Sequence, residues 1–227
     1  MGRIMWKPMC AGLALLAGVA TAAPTTPPGQ GWEPGEADGV TVYLRPVSGT
    51  DRYEIWVRTV LNAPARELQQ TLLDAERFHT FMPHTEAVRY LGEPGPVALT
   101  YTLIDVPVVG KRDYVSEVRT LEEVGPDGSG RFRQRWRAVE DRLPERHGIT
   151  RLRHNEGSWD IRPMSDGRSE VLYRFSVDPG GSFLGMLAKV TARKAVVGTL
   201  RAVEKEARRR SVEAASARMP PSSPGGP

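Results

Sequence analysis

The sequence predicts an α+β fold in which a curved antiparallel sheet wraps around a long C-terminal helix. One observation is a succession of β-rich segments between residues 87 and 177. Turn sequences such as G-E-P-G-P and S-D-G-R separate several of them, and there is no room for crossover helices. A second observation is the apolar stripe at helical spacing that follows, from Phe183 to about Arg210. Such a helix buries its stripe by packing against the sheet that precedes it.

The predicted elements at the start of the fold are two strands and two short helices. Residues 40–45 and 53–61 are β-rich and are split by the turn sequence S-G-T-D. Asn62 is the predicted N-cap of the helix A-R-E-L-Q-Q-T-L-L-D-A, and E-R-F-H-T-F-M is predicted to form a second short helix or a turn. The later strands are predicted at residues 87–91, 97–105, 112–121, 131–139, 148–153, 157–162 and 170–177.

The two ends of the chain predict a leader and unstructured segments. Residues 1–22 combine a basic start, an apolar run shorter than the about 20 residues of a membrane span, and an A-T-A cleavage pattern. We therefore expect a cleaved signal peptide and an exported protein, periplasmic or secreted. The Pro/Gly-rich residues 23–36 predict a linker and residues 211–227 a disordered tail, which leaves residues 37–210 for the folded domain.

Composition argues against several functions. The formal net charge of +4 falls to +2 when Arg3 and Lys7 leave with the leader, too small an excess to indicate nucleic-acid binding. Cys10 is the only cysteine and lies in the leader, so thiol chemistry is not expected. The four histidines lack metal-ligand spacing, and no glycine-rich phosphate motif is present. We expect a monomer with no metal, no cofactor and no catalytic residue.

Alternation along the strands predicts which side chains face inward. In R-F-R-Q-R-W-R-A-V, one face carries four arginines, a pattern typical of a solvated sheet face or of a surface for an acidic partner. The predicted inward face mixes polar groups with aromatic rings. A buried polar group without a partner costs about 1–3 kcal/mol, so this mixture fits a cavity for an amphipathic ligand unless each group finds a partner in the core. The polar inward residues are Tyr101, Tyr114, Ser116, Gln134 and Tyr173.

A set of short motifs occurs in a fixed order along the chain. R-D-Y at 112–114 is followed by P-E-R-H-G-I-T-R, then W-D-I-R-P, then Y-R-F-S-V-D-P-G-G and the final helix. In this order they resemble the START (StAR-related lipid-transfer) domain of the helix-grip (Bet v 1-like/SRPBCC) superfamily. The resemblance covers residues 37–210. It implies a helix-grip fold with a tunnel for one lipid, gated by the C-terminal helix and a neighbouring loop.

The resemblance also implies which residues line the hydrophobic cavity. The helix wall is predicted from Met186, Leu187, Val190 and Val197, with D-P-G-G as a hinge. The sheet wall is predicted from Tyr101, Leu103, Tyr114, Ser116, Val118, Trp136, Tyr173 and Phe175.

One position departs from the family pattern. Members that carry sterols place an arginine six residues after the first residue of the R-D-[FY] motif, and this chain has Val118 there. The polar pair of the sterol carriers is therefore absent, and the ligand is left open among phospholipid, fatty acyl and sterol-like lipids. Arg112 and Asp113 themselves are expected to be a structural pair or turn anchor at the start of a strand.

The function expected from these observations is non-enzymatic binding, and in a finer form transfer, of one lipid, with transient membrane contact. The alternative is an enzyme of the same superfamily, a cyclase or hydrolase acting on a hydrophobic substrate. A buried acid or histidine in the cavity would favour the enzyme. A third possibility, a ligand sensor for a protein partner, predicts a large exposed apolar patch near the gate.

Overall fold

The computed structural model describes residues 27, 29–50, 52–107, 110–178 and 186–218, with the backbone alone at 186–188 and 218. One mixed helix–sheet domain contains the strands and helices. The strands are β1 (Glu33–Ala37), β2 (Val40–Pro46), β3 (Tyr53–Leu61), β4 (Thr85–Tyr90), β5 (Val97–Val106), β6 (Gly110–Val124), β7 (Gly130–Ala138), β8 (Thr150–Arg151), β9 (Asn155–Pro163) and β10 (Ser169–Val177). The helices are α1 (Ala65–Leu73), a 3₁₀ helix (Ala75–Thr80) and α2 (Met186–Arg218).

The strands form one sheet in the order β1-β2-β3-β10-β9-β7-β6-β5-β4. Neighbours along this path pair antiparallel, and the short β8 pairs in parallel with β6 beside it. The last strand, β10, pairs with the early strand β3 and so joins the first three strands to the rest of the sheet. The predicted α+β helix-grip fold, a curved antiparallel sheet with a long C-terminal helix, is confirmed.

The helices cover one side of the sheet, which we call the inner face. Leu68 and Leu72 of α1 are spaced by one helical turn and are buried against it. From α2, the buried residues Val197, Leu200 and Val203 join the same core. The sheet contributes side chains that alternate along its strands, namely Val42, Leu44, Val57, Leu61, Phe132, Ile161 and Val171.

Two predicted boundaries are wrong. Residues 33–36 were expected in a linker, but Glu33–Ala37 pairs with β2 as an edge strand, and Lys189 and Arg193 of α2 hold it by donating to Glu33. The helix α2 continues past residue 210 to Arg218, into the predicted tail, because Glu206 and Glu213 bind Arg209 along its surface. Phe183, the predicted helix start, lies outside the described residues.

The predicted N-cap of α1 is also wrong. The helix begins after Pro64, whose backbone is extended, and no side chain caps it. The backbone N–H of Asn62 instead donates to the carboxylate of Glu204 on α2, at 2.7 Å. The first helix is therefore fastened to the last one at this point. In the described part of the chain, no helix is both long and apolar enough to cross a membrane.

Candidate functional site

The inner face has two zones of different chemistry. Beneath α1 and α2 it is aliphatic and closed by the core residues given above. Farther along the same face, where β5, β6, β7, β9 and β10 lie side by side, all the side chains except Val118 are aromatic or carry uncharged polar groups. We call this second area the polar–aromatic zone. Its members are Thr100, Thr102, Tyr114, Ser116, Val118, Trp136, Asn155, Tyr173 and Phe175.

Aromatic rings form the centre of the zone. The ring of Tyr173 lies 6.0 Å from Trp136, 6.1 Å from Phe175 and 4.1 Å from Trp159, measured between centroids. Trp136 can lie this close to the sheet because its neighbour on β9 is Gly157. A Cβ built on that glycine would stand 2.3 Å from the indole ring and 2.4 Å from the carbonyl oxygen of Arg174. The glycine thus makes room for a flat aromatic surface.

Polar groups border this surface. The indole N–H of Trp136 donates to Oδ1 of Asn155 at 3.1 Å, and Asn155 is buried. Thr102 is the register partner of Tyr114, and Thr100 that of Ser116. The hydroxyl of Ser116 is buried and has no hydrogen-bond partner among the described residues. A buried hydroxyl without a partner costs about 1–3 kcal/mol, so it is available to a polar group of a ligand.

The ionisable groups that the described residues place at the centre of the zone are two tyrosines. Burial raises the pKa of Tyr114, and hydrogen bonds with the side chains of Thr102 and Asn155 offset part of that rise. Burial also raises the pKa of Tyr173 well above its usual range, with a smaller contribution from the nearby Tyr114. Both phenols therefore stay neutral at physiological pH. Neutral phenols can donate and accept hydrogen bonds, but they cannot act as bases there.

Most of the sheet residues predicted from the sequence meet in this zone. Tyr114, Ser116 and Val118 alternate on β6, and Trp136 lies opposite Val118 on β7. Tyr173 and Phe175 are two residues apart on β10, so their side chains point to the same side of the sheet. The other neighbour of Val118 is Ala98 on β5. Val118 stands where the sterol carriers of the resemblance place their arginine, so no carboxylate faces that position in this chain.

Tyr101 and Leu103 were predicted on the inner face, and this placement is wrong. The register pairs Tyr101 with Val115 and Leu103 with Asp113, whereas Thr102 is paired with Tyr114. Paired residues point to the same side of a sheet, so Thr100 and Thr102 face inward and the two predicted residues face outward. In the sequence T-Y-T-L, alternation alone allows either the two threonines or Tyr101 and Leu103 to face inward. Only the pairing with β6 decides between these two arrangements.

The helix wall is only partly as predicted. Val197 is fully buried, as a member of the hydrophobic core. Val190 is 42% exposed, so its side chain is not part of a closed cavity wall in the described structure. The side chains of Met186 and Leu187, and the D-P-G-G hinge beyond Asp178, lie outside the described residues. The buried Gln134, predicted among the inward polar groups, is paired with Thr120 and Trp159.

Of the motif residues Arg112 and Asp113, Asp113 belongs to a buried structural ion pair, and its partner is Arg151. Asp113 accepts hydrogen bonds from Nε and Nη2 of Arg151, at 2.7 and 3.2 Å. The bond to Asp113 raises the pKa of Arg151. Arg112 is buried and donates to the carbonyl of Gly110 at 3.1 Å. On the outer side, Tyr101 donates to Asp113 at 3.3 Å and accepts from Arg146 at 3.0 Å.

Sequence reasoning missed Thr100, Thr102, Asn155 and Gly157. Asn155 and Gly157 could have been found by extending the alternation of Trp159 and Ile161 backwards along β9, since both lie in phase with them. No group of three or more His, Cys, Asp or Glu side chains is placed to hold a metal ion within the described residues.

Comparison with known proteins gives the following matches. The family model described as "Polyketide cyclase / dehydrase and lipid transport" matches residues 61–204. A StAR-related lipid transfer protein from Xanthomonas axonopodis is 32% identical, over 79% of this chain and 99% of that chain, with a TM-score of 0.67. Human STARD10 has a TM-score of 0.69 over 82% of this chain and 76% of that one; at 16% identity this likeness concerns the fold alone. An uncharacterised protein of Pseudomonas aeruginosa is 29% identical over 176 residues, 77% of this chain and 85% of its own.

Proposed function

The chain belongs to the polyketide cyclase/dehydrase and lipid transport family, and from this membership and the polar–aromatic zone we propose that it binds one lipid without altering it chemically. The observation that carries the proposal is the unpartnered hydroxyl of Ser116, buried on the inner face next to an aromatic surface. A lipid satisfies both features, since its polar group can bond the hydroxyl while its apolar part covers the rings.

Energetics favour a lipid over a small polar ligand. An acyl chain of about 15 methylenes gains roughly 0.8 kcal/mol per buried CH₂, about 12 kcal/mol in total. That gain offsets the cost of ordering the chain and of taking a polar group out of water. The polar group is expected to be uncharged where it meets Ser116, because its neighbours Thr100, Tyr114 and Asn155 are neutral.

The non-enzymatic part of the proposal rests on the ionisable groups of the zone. A cyclase or a hydrolase needs a group near its substrate that gives up or takes a proton readily, and the raised pKa values of Tyr114 and Tyr173 make both phenols weak acids that are not ionised to act as bases. The alternative is an enzyme, since the family description also covers cyclases and dehydrases. In that case Tyr114 would be the residue to donate a hydrogen bond to a substrate carbonyl.

Transfer between membranes and export are further parts of the proposal. Transfer requires transient membrane contact and an opening near the start of α2. Export is supported by the leader pattern of residues 1–22. The expected mature protein is monomeric and is found in the periplasmic fraction or in the medium, with a mass that lacks the leader.

Solvent extraction of the protein purified from a bacterial host tests the proposal. We expect one lipid species or class in the extract by mass spectrometry, in unaltered form, and movement of the same labelled lipid between vesicles. A protein that is empty and also fails to move labelled lipid contradicts lipid binding. Recovery of a cyclised, dehydrated or hydrolysed product, lost in Tyr114→Phe, would establish the enzyme instead.

A further inference from the structure

The outer face of the sheet carries a second concavity, a groove of about 480 Å³ on the side opposite the helices. It crosses the strands from Arg119 on β6 to Trp56 on β3. Its lining includes five arginines and three glutamates, so the groove has an excess of positive charge. A volume in this range is typical of sites for small molecules.

The register of the strands places one row of residues along the floor of this groove. Arg135 on β7 is paired with Ser158 on β9, and Ser158 with Arg174 on β10. At its two ends the row continues to Arg119 and Trp56. Arg135 and Arg174 are separated by two strand spacings, about 10 Å, and the small serine between them leaves room above the sheet.

These two arginines differ from those around them. On the same strand, Arg131 and Arg133 bind Glu122, and Arg137 binds Glu117. Among the described residues, neither Arg135 nor Arg174 has an ion-pair or hydrogen-bond partner, and both are exposed. These two exposed guanidinium groups lie on either side of a serine and have no acceptor of their own in the described structure, so both are available to one anion bound between them.

Trp56 provides an independent observation. It is only 2% exposed, it is paired with Arg174, and it lines the groove. Its indole N–H is buried without a hydrogen-bond partner in the described part of the chain. Its ring is held edge-on by Tyr43 at 5.5 Å. The side of the groove next to Arg174 therefore holds, among the described residues, a second donor without an acceptor.

We propose that this groove is a binding site for a phosphate group, held between Arg135 and Arg174 above Ser158. Guanidinium groups match phosphate oxygens with paired N–H donors, and the serine hydroxyl can add one more. Three carboxylates also border the groove, but Glu54 is bound by Arg45 and Glu117 by Arg119 and Arg137. The third, Glu156, lies 3.9 Å from His154. The phosphate can come from a soluble phosphate ester or from a lipid headgroup at a membrane surface.

Binding assays with two kinds of probe test this inference and distinguish the sources. Glycerol 3-phosphate is titrated by calorimetry, and vesicles of phosphatidylglycerol in phosphatidylcholine are used in flotation at the same ionic strength. Arg135→Gln and Arg174→Gln are each expected to weaken binding about tenfold. The matched control Arg133→Gln removes the same charge from the same face of β7, two residues away, and is expected to leave binding unchanged.

Each outcome decides the matter. Saturable binding of the soluble ester that depends on Arg135 and Arg174 confirms the site for soluble phosphates. Binding to anionic vesicles alone, with the same dependence, confirms it for headgroups. No binding of either probe, or equal losses in Arg133→Gln, overturns the inference, since equal losses mean general surface charge. Lipid loading of the inner face is measured in parallel and is expected to be unchanged in the three variants, which separates this inference from the proposed function.

Discussion

The bond between Asp113 and Arg151 explains why two separate motifs occur together in this chain. R-D-Y begins β6, and G-I-T-R supplies β8, which pairs in parallel with Arg112 and Asp113. The side chains of Asp113 and Arg151 are only 1% and 9% exposed, and Arg151 also donates to the carbonyls of Leu143 and Pro144. The pair therefore fastens the loop before β8 to the sheet.

Replacing Asp113 by alanine is expected to destabilise the protein by about 3–5 kcal/mol, because Arg151 would remain buried without its partner. Urea unfolding followed by circular dichroism measures the change. The control is Glu145→Ala, which removes one of the two carboxylate partners of Arg153 in a pair that is about 60% exposed on both sides and is expected to cost less than about 1 kcal/mol. Equal effects of the two substitutions would mean that the buried pair has no special role.

Gly157 shows how one missing side chain shapes the candidate site. Gly157→Ala is expected to cost about 1–3 kcal/mol of stability, since the new Cβ meets both the indole of Trp136 and a backbone oxygen. Thermal unfolding measures this cost. In the control Gly95→Ala the added Cβ has nothing within 4 Å, and the melting temperature is expected to stay within about 1 °C. A neutral Gly157→Ala would contradict the packing described for Trp136.

The long helix α2 shows why a correct apolar stripe does not locate a cavity wall. Val190 and Val197 are seven residues apart, about two turns, so they lie on one side of the helix. The sequence therefore predicted the same environment for both. Only Val197 belongs to the core, whereas Val190 is 42% exposed.

Alanine substitutions along this stripe test the difference. Val197→Ala is expected to lower the free energy of unfolding by about 2 kcal/mol, from lost burial and the cavity left behind. Val190→Ala is expected to change it by less than about 0.5 kcal/mol. Denaturant unfolding of both variants gives the comparison. A larger effect at Val190 would show that the start of the helix is packed more tightly than the structure describes.

The second half of α2 contains a carboxylate that makes the free energy of unfolding depend on pH in the acid range. Hydrogen bonds from Arg209 and then Arg210 lower the pKa of Glu206 below its ordinary 4.5. A lowered pKa in the folded state contributes stability that is full above about pH 4.5 and is lost as the pH falls through the folded value. Arg210 also binds Asp74, so the group joins α2 to the end of α1.

Glu206→Gln is therefore expected to flatten the acid limb of the stability curve. Between about pH 5 and pH 3 the unmodified protein should lose more stability than the variant, as measured by urea unfolding at each pH. The control Glu213→Gln changes a carboxylate on the same helix that is 61% exposed, and its curve should follow that of the unmodified protein. Parallel curves for Glu206→Gln and the unmodified protein would contradict the coupling.

For the whole molecule, the sequence was sufficient to predict the architecture but not every contact. Strand spacing, turn sequences and one final stripe predicted the sheet and its helix, because these patterns are local. The inward phase of β5 was not predictable, since it depends on which residue of β6 is opposite Tyr101. The partner of Asp113 was not predictable either, because Arg151 is distant along the chain and is brought close by β8.

The outer groove was also only partly visible in the sequence. The row of arginines on β7 was recognised as a surface that is either solvated or suited to an acidic partner. Pairing with Glu122 and Glu117 separates Arg135 from its three neighbours. That distinction requires the register between β6, β7 and β9, which no local pattern contains.

Native mass spectrometry of the protein from a bacterial host tests most directly whether the polar–aromatic zone holds a lipid. The unmodified protein is expected to carry one lipid per chain. Val118→Asp, which puts a charge beside Trp136, is expected to be folded and empty. Leu121→Asp makes the same kind of change at an exposed position of β6 and should keep the lipid. Equal occupancy in Val118→Asp and Leu121→Asp, or an empty unmodified protein, would contradict lipid binding in this zone.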